Sequence, residues 1–435
     1  DGSQPLNPDL GSVVTFTSGE DTTSVLCGIT ISGGTGTFVA VAGNARLGGG
    51  VFFGSGGKLI NNHIENNIIS NEAWASGGGI FAGAPLDPLP WVVLRDNRIN
   101  YNKAISSNDQ GTGAGIEIWF NLIMENNQLS WNEAAGAFRG DGGGARISGN
   151  FGHIDISVLN NVFTHNKAKS NSTSTDLVIS GGLDIFLDVS GIIANNAISY
   201  NEIEVAAEKW GYGTGVLVEM VSDQDFVFEN NMITGNTFSG GYCMGGGLLT
   251  YDAKGTYQNN VVNGNTGTNG GGVGIGSANT SYEPVFVNNT ITGNEGDLGG
   301  GIYISETNAI VFNTIIWGNT APSGASIFVE ETGDLIVRYS DVEGDEVWPG
   351  EGNVNCSPSF LEDGYHLDPS CQLLNAGITT IEVNGMWYNC PALDIDGEPR
   401  PFTGTQPEIG VDELQTTVAV GKPISSNPLT INVFP

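Results

Sequence analysis

Glu117, Arg146 and Asp184 are the residues of this chain whose types and spacing come nearest to a reaction centre. Each is the second residue after a corner. Gly113-Ala114-Gly115-Ile116 leads into Glu117, Gly142-Gly143-Gly144-Ala145 into Arg146, and Leu183 precedes Asp184. If these corners are equivalent points of a stacked repeat, the two carboxylates stand two strands apart, roughly 9–10 Å at sheet spacing. An inverting glycosidase separates its acid and base by ~6.5–9.5 Å, and Arg146 would sit between them. The same second position holds Phe52, Phe81, Leu217, Leu249, Gly274 and Tyr303, and the fourth holds Trp119, Phe186, Glu219 and Tyr251. Ring faces stack on pyranose CH groups while polar groups take the hydroxyls. Phe52, Phe81, Trp119, Phe186, Glu219, Tyr251 and Tyr303 are therefore expected to bind a glycan if this face is open. The competing expectation, which outweighs catalysis, is a decorated outer sheet covered by a loop or a partner.

Other chemistry is sparse. A polysaccharide lyase needs a basic or phenolic proton acceptor, usually beside Ca²⁺ or Arg, and no lyase-like Arg-Pro-Arg grouping occurs. The paired-Asp motifs of polygalacturonase-like hydrolases are missing too. His63, His153, His165 and His366 lack metal-ligand spacing, and His165 takes the place of an ordinary turn residue before Asn166. Asp394-Ile395-Asp396-Gly397 resembles half of a Ca²⁺ loop without its distal Glu, so a turn braced by Arg400 outweighs metal binding by Asp394 and Asp396. Asp341, Glu343, Asp345 and Glu346 could collect Ca²⁺ loosely, but solvated charge is the default. Cys356, Cys371 and Cys390 could supply one disulfide in an oxidising compartment, while Cys27 and Cys243 sit in repeat coils.

The elements that must position these residues come from two interleaved motifs. Asn, any residue, an apolar residue, two more residues and Asn recurs from Asn66, Asn97, Asn127, Asn161, Asn196, Asn231, Asn260 and Asn289, with a looser copy from Asn313. The starts step by 31, 30, 34, 35, 35, 29, 29 and 24 residues. A glycine triplet followed by alternating apolar residues keeps the same period, as in Gly77-Gly78-Gly79-Ile80 and Gly299-Gly300-Gly301-Ile302. Two motifs at one period of about 30 residues are one supersecondary unit repeated. Alternation of period two makes it stranded, and no stretch carries a convincing helical period. The class predicted is all-β, a right-handed parallel β-helix of about ten coils. Val51, Ile80, Ile116, Leu183, Val216, Leu248 and Ile302, with Ile118, Ile147, Ile185, Val218, Ile275 and Ile304, are expected to point inward. The eight repeated Asn are expected to form a hydrogen-bonded ladder up the stack.

The chain has 435 residues, 66 of them Gly without a Gly-X-Y period, so it is not collagen. Its 14 basic against 47 acidic residues give a net charge of −33. That surface repels nucleic acid and anionic lipid, attracts cations, of which Ca²⁺ is the cofactor to consider, and keeps a glycine-rich β protein soluble. No apolar run is long enough for a membrane helix, and no signal peptide stands at Asp1. The expected organisation is a β-helix over 1–340, a capping and anchor segment over 341–415 and a linker over 416–435, with an N-terminal cap missing.

The alternation of the Asn and Gly motifs resembles pectate-lyase-like right-handed β-helix repeats. The stretch Ser357-Pro358-Ser359-Phe360-Leu361-Glu362-Asp363-Gly364-Tyr365-His366-Leu367, with Asn375-Ala376-Gly377, Asp394–Pro401 and Ile409-Gly410-Val411-Asp412-Glu413, is similar to surface proteins with a choice-of-anchor Q region. It departs from that pattern at Cys371-Gln372-Leu373. Leu429–Pro435 resembles the opening of a sorting domain of the type IX secretion system. The resemblance implies an extracellular or cell-surface protein, exported through a missing C-terminal domain. The expected function is non-catalytic glycan binding, adhesion or extracellular assembly, with a polysaccharide or another surface protein as partner. A polysaccharide hydrolase or lyase is the alternative.

Overall fold

The computed structural model describes residues 2–170, 177–223, 225–277, 282–402, 404 and 406–415. The expected linker 416–435, which includes Leu429–Pro435, lies outside them.

One coil shows how the sequence makes the fold. Ile116–Ile118 is a strand of the first sheet and Asn121–Glu125 a strand of the second. Asn126 turns the chain with φ 57°, Asn127 is buried, and Gln128–Ser130 joins the third sheet. Trp131 turns it again with φ 59°, and Asn132 is buried. Each of these three sheets is parallel and eleven strands deep, one more than the coil number expected. The chain is a parallel β-helix, the architecture that the pectate-lyase-like resemblance implies.

The inward residues named from the alternation all lie in one continuous core with Leu59, Leu129, Phe163 and Phe228. Alternate residues of a strand face opposite sides, so one register fixes the whole column. Burying each such side chain is worth ~1.5–3 kcal/mol.

The Asn repeats form two ladders, not one. The first runs Asn62, Asn97, Asn127, Asn161, Asn196, Asn231, Asn260, Asn289, each Nδ2 donating to the next Oδ1 as far as Asn289, for example 2.9 Å from Asn97 to Asn127. The second runs Asn67, Asn102, Asn132, Asn166, Asn201, Asn236, Asn265, Asn294, Asn319. Asn66, expected to open the ladder, does not belong to it. It is exposed, with φ 56°, at the turn just before Asn67. The motif Asn62-His63-Ile64-Glu65-Asn66-Asn67 is the true copy in that coil, four residues earlier than the start read from the sequence. The motif fits in two overlapping frames, from Asn62 and from Asn66, and only stacking selects between them.

A fourth sheet, of thirteen strands, stands off the coils as a wing. Lys103–Ser106 leaves the body and Gln110–Thr112 returns to the glycine corner. Glu202–Tyr212 is long enough to pair with both layers of the wing below it. Toward the C-terminus the wing shrinks to single bridges such as Asn269 to Leu298, as the spacing of ladder Asn falls from 35 to 25 residues.

The segment from 341 to 415 lies along the side of the last coils. Ile381 and Val383 pack on Val285, Val287, Ile310 and Phe312, and Leu367, Leu373 and Ile409 pack on Ile315. Asn288 and Asn313 donate to the carbonyls of Gly410 and Ile378 at 3.0 and 2.8 Å. These are turn residues that in earlier coils face solvent, so the tail uses a repeated feature as its dock.

Candidate functional site

The first sheet turns its second-position residues away from the core, as expected, but the wing covers them. Thr112 and Asp141, the last residues of two returning wing strands, face the Glu117–Arg146 rungs. Phe81 is wholly buried, Trp119 is 7% exposed and Tyr303 3%. Phe81 meets Trp119 edge-on at 5.0 Å and Phe52 stacks on Phe81 at 5.7 Å, with Trp74 of the wing region stacked on Trp119 at 5.4 Å. This corrects the expectation of an open aromatic platform. Phe81, Trp119 and Tyr303 have no free face for a sugar, because outward from the coil is inward to the wing. Phe52, Phe186, Glu219 and Tyr251 are half-buried.

The charged residues are brought together as the spacing implied. Glu117 pairs with Arg146 and Arg146 with Asp184 on successive strands. Arg146 donates from one amino group to Glu117 Oε1 at 3.1 Å and from Nε to Asp184 Oδ2 at 2.9 Å. Trp119 Nε1 donates to Glu117 Oε1 at 2.8 Å, and the Arg146 guanidinium lies over the Phe186 ring at 4.9 Å. Glu117 and Asp184 are wholly buried. Burial pushes the Asp184 carboxyl up to about 7 against the opposing pull of Arg146, and it raises Glu117 likewise. A hydrolytic pair needs water and a glycosidic bond between its carboxylates; here a guanidinium fills that space.

Arg139 and Asp141, which pair with each other, were not singled out from the sequence. They stand just before the Gly142 corner, and the residue before each corner faces the column after it. That offset was the available signal. Beyond them Arg139, Leu177, Ile179, Tyr212, Leu217, Glu219 and Tyr251 line a cavity of about 210 Å³. Ligand sites usually measure ~300–1,000 Å³, so it suits waters or one small group. Burial raises the Glu219 carboxyl there.

In the tail, Asp394 Oδ1 accepts the N–H groups of Asp396 and Glu398, and Oδ2 accepts that of Glu413. Asp394 thus braces a turn with its lone pairs turned to the backbone. Asp396 instead meets His366 Nε2 at 2.5 Å, and Asp363 meets Nδ1 at 2.6 Å. These partners push His366 up to about 9. His366, Asp396 and Asp412 place their ligand atoms within 4.8 Å of one another, but both ring nitrogens are already engaged. Arg400 does not touch Asp394; it is buried, donating to Asn259 Oδ1 at 2.8 Å and to the Val411 carbonyl at 2.8 Å. Cys356 and Cys371 share one apolar cluster and Cys390 lies against another, all as thiols. Among the described residues, no helix is long and apolar enough to cross a membrane.

A different surface is open. The turn residues before the second ladder include Tyr101, Trp131, His165 and Tyr200 in four successive coils. Tyr101 stacks on Trp131 at 6.4 Å, Trp131 on His165 at 4.3 Å, and Tyr200 tilts over His165 at 5.5 Å.

No family model, no curated protein and no solved structure matches this chain.

Proposed function

We propose that this protein is a non-catalytic extracellular recognition scaffold, a rigid β-helix that presents its surface to glycan or to another surface component. The observation that carries this reading is the Glu117–Arg146–Asp184 network. Its polar groups are turned on one another under the wing, where no substrate chain reaches them. Stiff parallel stacking with a net charge of −33 suits a soluble platform outside the cell better than a nucleic-acid or lipid binder. Cell-surface export, and an anchor role for the 341–415 segment, rest on the resemblance of its motifs.

The polysaccharide hydrolase expected as the alternative would have to use Glu219, at a cavity that admits only one small group at a time. Glu219 has a raised carboxyl beside the cavity that Tyr212 and Tyr251 line, which is an environment that suits a general acid.

The test is a reducing-sugar and unsaturated-product assay on acidic and neutral polysaccharides, with and without Ca²⁺. No turnover is expected. Product release that disappears in Glu117→Gln, Asp184→Asn or Glu219→Gln would make the protein an enzyme and end the scaffold reading.

A further inference from the structure

The β-helix contains its own control for the exposed aromatic turn. Two columns of left-handed residues run up the stack, one before each Asn ladder. In the first the occupants are Gly28, Asn61, Asp96, Asn126, Asn160, Asn195, Asn230, Asn259, Asn288 and Asn313, with φ between 50° and 72°. These are the residues that tolerate this conformation. The second column has the same geometry, φ 54° to 76°, and begins and ends in the same way, with Gly33 and Asn66 below and Gly235, Gly264, Gly293 and Gly318 above. Between them stand Tyr101, Trp131, His165 and Tyr200. A bulky side chain with positive φ is strained, and strain of this kind gathers at functional sites. Nothing in the fold requires it here, because Asn or Gly serves the same turn in the neighbouring coils.

The rings lie face to face along the stack, with His165 half-buried between its neighbours, so their outward edges are what is open. Tyr101 is 51% exposed, Trp131 49% and Tyr200 60%. The strip is bordered by charges already neutralised in pairs: Lys103 with Glu133 at 2.6 Å, Lys169 with Glu133 at 2.5 Å, and Lys167 with Glu202 at 3.2 Å. On its other side stand Asn100 and Thr164, both half-buried, with Thr164 Oγ1 at 2.8 Å from His165 Nδ1.

We propose that Tyr101, Trp131, His165 and Tyr200 form a binding strip for one extended, neutral polysaccharide chain lying along the axis of the β-helix. This rests on the recognition reading above and names its site and ligand class. Single file is the reason for a polymer. Coils repeat every ~4.8 Å, close to the advance of one sugar in an extended chain, so each coil offers a ring edge to each successive unit. The outward ring edges line one side of such a chain, while Asn100, Thr164 and the paired Lys and Glu side chains exchange hydrogen bonds with hydroxyls. A polyanion is disfavoured by the overall charge of −33. A protein partner needs a broad patch, ~800 Å² on each side, whose centre is depleted of charge. This strip is one side chain wide with ion pairs at its edge.

Asn is the native solution at this turn in the parallel column, so Trp131→Asn, and the fourfold replacement of Tyr101, Trp131, His165 and Tyr200 by Asn, should fold. The experiment is native affinity electrophoresis of the intact chain through gels containing hydroxyethylcellulose, galactomannan or laminarin, with polygalacturonate as the acidic arm. Retardation by at least one neutral polymer is expected in the wild type. The fourfold variant should lose it at least tenfold while melting no lower than the wild type. Failure of the wild type to be retarded by any neutral polymer, or retardation by polygalacturonate alone, overturns the proposal. So does self-association of the wild type that Trp131→Asn abolishes, which would assign the strip to a second copy. Equal retardation of wild type and fourfold variant removes this site but leaves glycan recognition standing. Turnover in the assay above removes the scaffold reading whatever the gels show.

Discussion

Arg146 shows how a residue pattern that suggests catalysis can serve structure. Taking a guanidinium and two carboxyls out of water is costly, and here Arg146 alone is shared by Glu117 and Asp184, whose pKa values burial raises. Removing one partner leaves the others buried and uncompensated. Arg146→Met is therefore expected to lower unfolding stability by about 3–5 kcal/mol, measured by urea denaturation, whereas replacing Glu117, Arg146 and Asp184 together by apolar residues should cost much less. The ladder makes a second residue-scale case. Asn132 donates to the Ile99 carbonyl at 2.8 Å and to Asn166 at 2.9 Å, and its Oδ1 accepts the Asn102 N–H at 3.0 Å. Asn132→Ala strands these buried groups at about 1–3 kcal/mol each, so loss of several kcal/mol by the same measurement is expected. Asn66→Ala, outside the ladder, should change stability by well under half of that.

At the scale of the element, the glycine corner is where coils come closest. A methyl group on Gly144 would stand 2.5 Å from the Gly182 carbonyl oxygen of the next coil and 3.0 Å from Asn166 Nδ2. Both are fixed, one by the backbone and one by the ladder. Overpacking of this kind costs about 1–3 kcal/mol, so Gly144→Ala should lower the melting temperature clearly, and Gly144→Val should yield little folded protein. Gly152, with open space around its Cα, carries no such contact. The wing is the element that decides the fate of the first sheet. Its returning strands convert an outer face into a second interior, and for that reason Phe81 and Trp119 pack like core residues while sitting outside the coil.

For the whole molecule, the pKa directions predict an acid-tolerant protein. Burial pushes Asp184 and Asp341 up to about 7 and Glu408 up to about 8. A carboxyl with a raised folded pKa binds its proton in the native state before the unfolded chain does. Over roughly pH 4 to 8 the native state then holds more protons, and stability falls as pH rises. His366, raised to about 9 by Asp396 and Asp363, acts in the same sense: its contribution is complete below the ordinary His pKa and lost as pH climbs through 9. Thermal melts should shift upward between pH 8 and pH 5, and a downward shift would contradict these assignments. The tail is bound into the same cooperative unit. Arg400 joins Asn259 of the β-helix to the 410–413 strip, so Arg400→Met should expose the 341–415 segment to limited proteolysis before the coils are cut.

The amino-acid sequence by itself determined the repeat, the parallel β-helix and the inward columns, because alternation of period two within a fixed period of coils leaves one way to bury Val51, Ile80, Ile116 and their equivalents. It also set Glu117, Arg146 and Asp184 on adjacent rungs, since equivalent corners stack. Tertiary structure decided what those rungs face. The wing strands carry no motif that says they fold back, so the exposure of Phe81, Trp119 and Tyr303 was not legible from their own neighbourhood. Nor was the ladder register at Asn66, where the frames from Asn62 and from Asn66 fit equally well until the neighbouring coil chooses. The stack of Tyr101, Trp131, His165 and Tyr200 was hidden for the opposite reason. Each looks like an isolated turn residue some 30 to 35 positions from the next, and only coiling brings the rings into contact.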